Sequence, residues 1–323
     1  MATTKTTNSL LLNGLQGGNL LAFLASVGVL RTLAVTEPEK QWKLSWEKNG
    51  AGWSPVLYGM GVANPEELIE ILHPALQKMH KCALMQDQLE LQEHKDTAKI
   101  PCHDFRKIAM EAQNNSLFSD RTYADFIAAL GSECIPESKK DNSIQDTALR
   151  TMSGAGHQHF LETMRLLIKK TDKNHLRSAL FKTWAYSDEK LGLRWDPQED
   201  RRYALRWKDP KNSSKDNQIK TMYGANRLAV EALSLFPAMA CGEHLETTGF
   251  SKIKRRDFFS WPIWSAPVDV YSMMSLLALD NLQDSGWSGV KLYKRGVVEV
   301  YRSERITKDK YRNFTVAVSA LNN

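Results

Sequence analysis

The chain has 323 residues, of which 42% are hydrophobic and 25% charged, a balance that excludes a disordered tail or a fibre and suffices to bury a sizeable core. Its net charge of +6 is unevenly placed: from Arg177 onward there are 24 Lys/Arg against 17 Asp/Glu, and before it 19 against 20. The basic half makes a polyanion the first partner to consider. Cys82, Cys102, Cys134 and Cys241 lie far apart without a C-x-x-C spacing, which argues against a zinc ribbon or a disulfide scaffold and fits reduced cytoplasmic thiols. The apolar run from Leu20 to Leu30 is broken by Ser26 and Gly28 and is too short to span a bilayer, and MATTKTTNS has no export pattern, so neither a membrane nor secretion is expected.

In chain order, the first nine residues read as a frayed end. Asn19 then caps a largely buried helix running to about Ala34, with Gly28 marking a close contact. WKLSWE and WSPVLY, joined by KNGAG, predict a hairpin. NPEE at Asn64 opens a helix toward Glu93 that Pro74 should kink or divide. Further helices are expected over Pro101–Ala112, Asp120–Leu130, Gln158–Ile168 and Leu176–Trp184, with a polar loop over Ser138–Ser143. The stretch Arg194–Lys220 alternates arginine, aromatic and turn residues; if RRYALRW is a strand, Arg202, Ala204 and Arg206 share one face and Tyr203, Leu205 and Trp207 the other. GANRLAVEALSLFP is a strong helix, Pro267 opens another through SMMSLLAL, and KIKRRDFFSWPIW is a basic run leading into an aromatic strand. VKLYKRGVVEVYRSERI and YRNFTVAVSAL read as a hairpin and a third strand. The fold class is α+β, a helical middle with short antiparallel strand pairs near both ends. The charge shift suggests a mainly helical part over residues 1–173 and a basic part over 174–323, unless the chain is one domain.

The chemistry-bearing candidates begin with histidine. His157 and His159 in GHQH, or His103 beside Asp104, offer metal ligands or general bases, but an i, i+2 pair splits across a helix and no further ligands are assignable. Helix capping and packing explain them as well. No nucleophile elbow, Walker loop or dinucleotide fingerprint is present, so no catalytic residue and no cofactor are expected. Gly14, Gly17 and Gly18 before a helix could hold an anion, or could let the helix enter the core.

Arg194, Arg201, Arg202, Arg206 and Lys208 lie beside Trp195, Tyr203 and Trp207. Guanidinium groups grip phosphate oxygens in pairs and aromatic faces stack on unpaired bases, so this mixture suits a nucleic acid. Asp196, Glu199, Asp200 and Asp209 could instead pair with the same arginines. Lys252, Lys254, Arg255 and Arg256 form the densest basic run, and Lys291, Lys294, Arg295, Arg302, Arg305, Lys308, Lys310 and Arg312 decorate the final hairpin, as a phosphate-backbone surface would or as charged strand edges do. Asn226 and Arg227, at the start of a helix, could read a base edge or hold the helix cap. Most of the nine tryptophans are expected in the core.

LNGLQGGNLLAFLASVGVLRTLA, WKLSWEKNGAGWSPVL, SGAGHQHFL, DPQEDRRYALRWKDP, GANRLAVEALSLFP and FSWPIW together resemble proteins of type I-G (formerly I-U) CRISPR loci. Two families there share the resemblance, a reduced large subunit of the Cascade surveillance complex and the family described as an extension of the helicase-nuclease. Either implies a role in RNA-guided DNA interference among other effector subunits. The large-subunit likeness implies recognition of the protospacer-adjacent motif and contact with target DNA or guide RNA, without catalysis. The competing expectations are a metal-dependent nuclease using His157, His159, His103 or Asp104, and an adaptor whose basic face meets acidic proteins.

Overall fold

A computed structural model describes residues 7–83, 90–118, 121–136, 142–154, 158–199, 220–283, 289–308 and 311–320. Strand β1 (Thr7–Leu11) lies on the edge of β3 (Gly52–Met60), whose other edge pairs with β2 (Lys43–Asn49), giving an antiparallel sheet of order β1-β3-β2. The expected hairpin is therefore present, and part of the supposed frayed end is its third strand. Between β1 and β2 runs helix α1 (Leu20–Thr36), started by Asn19, whose side chain accepts a hydrogen bond from the Ala22 amide at 3.1 Å. Apolar residues surround α1 on all sides, so it is enclosed rather than laid on a surface.

Helix α2 (Pro65–Ala83) runs through Pro74 without division. α3 (Cys102–Phe118) and α4 (Thr122–Ala128) follow, then a short hairpin of β4 (Gly131–Pro136) and β5 (Ile144–Asp146). α5 (Phe160–Lys170) leads into α6 (Lys173–Phe181), opened by a reciprocal cap between Asp172 and His175. Two-residue strands β6 (Asp188–Glu189) and β7 (Lys220–Thr221) pair ahead of α7 (Tyr223–Ala232). α7 lies along α1 at the glycine singled out in sequence: a Cβ on Gly28 would sit 2.0 Å from the Leu228 carbonyl oxygen.

The C-terminal part opens with hairpin β8 (Ala238–Cys241) and β9 (His244–Thr247), then β10 (Phe250–Ile253) and β11 (Arg256–Trp264). After α8 (Val270–Leu277) and α9 (Gly289–Tyr293), β12 (Val297–Lys308) pairs with β11 on one side and with β13 (Tyr311–Phe314) and β14 (Val318–Ser319) on the other. The expected hairpin within VKLYKRGVVEVYRSERI does not form, because its first arm is α9 and β12 turns back instead into β13. The architecture is α+β, with helices in the middle and antiparallel sheets toward both ends.

Residues from Leu10 to Phe314 contribute to one hydrophobic core, so the parts on either side of residues 173 and 174 share it. Its joint is aromatic: Phe23 of α1 stacks between Trp46 of β2 and Trp261 of β11, at 6.0 and 5.7 Å between ring centroids. The Trp261 and Trp264 indoles donate to the carbonyls of Gly17 and Leu44 at 2.8 and 2.7 Å, so each buries its ring without losing its hydrogen bond. Among the described residues no helix is long and apolar enough to cross a membrane.

Candidate functional site

The candidate nucleic-acid-binding residues separate into three groups. Arg201, Arg202, Arg206 and Lys208, with Tyr203 and Trp207, lie outside the described residues, as does the whole RRYALRW segment. Just before them, Arg194 is half-buried with a left-handed backbone, φ 59°, and its amide donates to Glu199 Oε2 at 2.7 Å. Trp195 is fully buried against Phe160, with its indole donating to the Leu149 carbonyl, which makes it core rather than a stacking platform.

The second group is interior. The Asn226 side chain is wholly enclosed; its Nδ2 donates to Glu199 Oε1 at 2.8 Å, to Thr221 Oγ1 and to the Met222 carbonyl, and its Oδ1 accepts from the Leu193 amide at 2.9 Å. Arg227 is 2% exposed and gives Nη1 to Glu231 at 2.5 Å and Nη2 to the Leu76 carbonyl at 2.9 Å, while Arg31 of α1 approaches the same Glu231 at 3.8 Å. Neither side chain presents a donor to a base edge. Both instead satisfy groups that burial would otherwise leave unmet, and with Glu231 they tie α7 to α1, to α2 and to the 191–199 segment. The same pocket of polarity perturbs Glu199: burial, and then the neighbouring Asp196, push its carboxyl from 4.5 up to about 7, against the hydrogen bonds from Thr221 and Asn226. Asp196 in turn accepts the Tyr186 hydroxyl at 2.6 Å.

The third group is exposed. Lys254 and Arg255 are the two turn residues of the β10–β11 hairpin, with φ of 49° and 66°, the left-handed pair of a type I′ turn. Such turns favour Asn-Gly, so a Lys-Arg pair holds two long cations at a strained hairpin tip. Lys252 is exposed beside them, and none of the three makes an ion pair among the described residues. Arg256 differs. Its guanidinium turns back along the sheet to Glu304 of β12 and lies 5.4 Å from the centre of the Phe258 ring.

Lys252 also lies at the rim of a cleft of about 500 Å³ between the sheet of β10 to β13 and the β5 and β8–β9 elements. The register aligns Lys252, Asp257 and Arg305 across β10, β11 and β12, so the three share one face, with Arg312 of β13 further along it. The opposite wall is fastened by the Thr247 hydroxyl accepting from the Ala148 amide and by Gln145 accepting from the Leu245 amide. Beneath it Arg150 pairs with Asp146, which also accepts the Thr97 hydroxyl at 2.8 Å. Arg305 and Arg312, read in sequence as hairpin decoration, are thus cleft residues, whereas Arg302 is spent on Ser260 and the Leu282 carbonyl. Residues 146, 252 and 305 meet only through the tertiary fold, and no local spacing could have signalled it.

The glycines before α1 are explained by packing: a Cβ at Gly14 would stand 2.5 Å from the Ala179 carbonyl oxygen, and one at Gly17 would press on Ile263 and Trp46. His103 bonds its neighbour Asp104 at 2.9 Å on the surface, His159 precedes α5, and His157 lies outside the described residues. Among the described residues no three His, Cys, Asp or Glu side chains are grouped to hold a metal ion. No protein-family model matches the chain, and no curated protein does.

Proposed function

We propose that this chain is a non-enzymatic, nucleic-acid-binding subunit of a type I CRISPR interference complex, cytoplasmic, contacting target DNA near the protospacer-adjacent motif or the guide RNA. The observation that carries the nucleic-acid part is the β10–β11 tip, where Lys252, Lys254 and Arg255 project without an acidic partner among the described residues. Several other basic side chains are already paired: Arg177 with Glu66, Lys173 with Glu70, Lys220 with Glu189 and Arg256 with Glu304. Cations that no carboxylate neutralises attract phosphates at long range and release counterions on contact. The effector assignment rests on the sequence resemblance. In such assemblies pairing with the guide reads sequence, while protein side chains grip backbone and a short duplex motif.

The test is binding of labelled duplex DNA, single-stranded DNA and a repeat-derived RNA across a salt series. Exchanging Lys254 and Arg255 together for glutamine should lower the slope of log affinity against log salt by about 2, about 1 for each lost phosphate contact. A folded double variant with an unchanged slope sinks the role of the tip.

A further inference from the structure

We propose that the pocket between the loop entering α1 and the segment leaving α6 is a binding site for a single nucleobase, stacked on an aromatic ring and met at its edge by side-chain amides. The inference deepens the nucleic-acid reading above and rests on it, but it does not need the β10–β11 tip.

The pocket encloses about 260 Å³ and is lined by Asn13, Gln16 and Asn19 from the loop and by Thr183, Trp184 and Tyr186 from the segment after α6. Among the described residues no charged side chain lines it, which suits a neutral ligand. Its volume falls below the roughly 300–1,000 Å³ that drug-sized molecules fill, and so fits one ring system.

Both walls are fixed before any ligand arrives. The Leu12, Gly14 and Gly17 amides donate to the carbonyls of Pro55, Leu180 and Trp53 at 2.9, 2.9 and 2.7 Å, tying the loop to β3 and to the end of α6. The Trp184 indole donates to the Ala179 carbonyl at 2.9 Å, and its ring meets that of Tyr186 at 78° with 5.9 Å between centroids, so the two form a corner. Tyr186 keeps this place on a left-handed backbone, φ 49°, with its hydroxyl donating to Asp196 at 2.6 Å and its amide to Met222 Sδ at 3.3 Å. A tyrosine at positive φ is costly and persists only where its surroundings fix it.

The amides, by contrast, are uncommitted. The exposed Asn13 and Gln16 side chains make no hydrogen bond among the described residues, and Asn19 spends only its Oδ1, on the Ala22 amide, which leaves Nδ2. Each amide holds a donor and an acceptor in one plane, as the edge of a base does, and so can engage a base through two parallel hydrogen bonds. An aromatic face stacks on any base. A sugar presents hydroxyls in several directions instead of one flat edge, and no carboxylate lines the pocket to accept from them. Lys182, exposed and next to Thr183, has no ion-pair partner among the described residues and is available to the phosphate of the same nucleotide.

The experiment measures, by fluorescence anisotropy at low salt, binding of the full chain to labelled short DNA strands in which every position is abasic except one, which carries adenine, guanine, cytosine or thymine, and to the all-abasic strand of equal charge. At least one base is expected to tighten binding by about fivefold or more. Trp184→Ala should abolish that gain. If this change prevents folding, Asn13→Ala with Gln16→Ala, both exposed positions, carries the test, with an expected loss of about threefold or a change in the preferred base. Lys254→Gln with Arg255→Gln should weaken every strand alike and keep the gain, which separates the pocket from the tip. Competition by the nucleoside monophosphate of the preferred base names the source: an affinity equal to that of the one-base strand means a free nucleotide, and a weaker one means a base held within a strand. Equal binding of the one-base and all-abasic strands overturns the pocket and leaves the nucleic-acid reading standing, as does a gain that a folded Trp184→Ala and the amide variant both keep. Failure of every strand here and of every ligand in the salt series overturns both.

Discussion

Arg227 and Arg255 carry the same guanidinium into opposite environments. Arg227 is enclosed on α7 and spent on Glu231 and a carbonyl of α2, whereas Arg255 stands exposed at a hairpin tip with no ion-pair partner among the described residues. The first is needed by the fold, since it is the close partner of the buried Glu231 carboxylate. The second contributes nothing to the interior and is held on a backbone that arginine does not favour. Basic residues counted together in sequence are therefore of two kinds, and the comparison can be broken at either end.

The largest effect is expected at the buried end. Arg227→Ala leaves Glu231 in the core with only Arg31 near it, and should destabilise the chain by about 3–5 kcal/mol in urea denaturation. Replacing the pair together, Arg227→Met with Glu231→Gln, should cost less, because no buried carboxylate is left without its close partner. A loss below about 1 kcal/mol for the single change would put Arg227 with the surface cations.

A second, somewhat smaller effect concerns Glu199. Its folded carboxyl keeps its proton up to about pH 7, whereas the unfolded one releases it near 4.5. Between those values the folded state binds more protons, so stability falls as pH rises and levels off above 7, by on the order of 3 kcal/mol in all. Glu199→Gln cannot titrate, and urea denaturation at pH 5 and pH 8 should show that part of the decline missing. Equal declines in the two proteins would place the pH dependence elsewhere.

What could be read in sequence follows the range of the interactions. The Asn19 cap, the KNGAG turn and the helix over GANRLAVEALSLFP are local signals, and each is found near its expected place. Gly28 is explained by α7, whose approach no local pattern predicts. Pro74 fits inside α2 because surrounding contacts of Leu72, Ala75 and Leu76 bury that turn and outweigh its propensity. β1 was hidden because its pairing partner β3 lies beyond a helix and another strand. At the candidate site the basic run was legible but its turn was not, and Asn226 and Arg227 stood between reading a base edge and holding the helix cap because a polar residue in sequence carries no mark of its burial. Arg305 reversed in the other direction, from surface decoration to a cleft wall, since the strands facing it come from distant parts of the chain.

The smallest expected effect tests the exposed end. Lys254→Asn with Arg255→Gly installs the pair that a type I′ turn prefers, where the wild-type turn holds two side chains at positive φ. Relief of that strain, less the entropy that glycine adds to the unfolded chain, should raise stability by about 1 kcal/mol, read as an upward shift of the thermal midpoint. The same change removes two cations and should lower the salt slope of nucleic-acid binding by about 2. Glutamine at both positions keeps the strained backbone and removes only the charge, so it should match the second effect without the first. A rise in stability together with weaker binding would mean that the turn retains its cations against the preference of its own backbone, the reverse of Arg227, whose charge and fold agree. A fall in stability would mean that Lys254 and Arg255 support the hairpin after all, and the contrast between the two arginines would disappear.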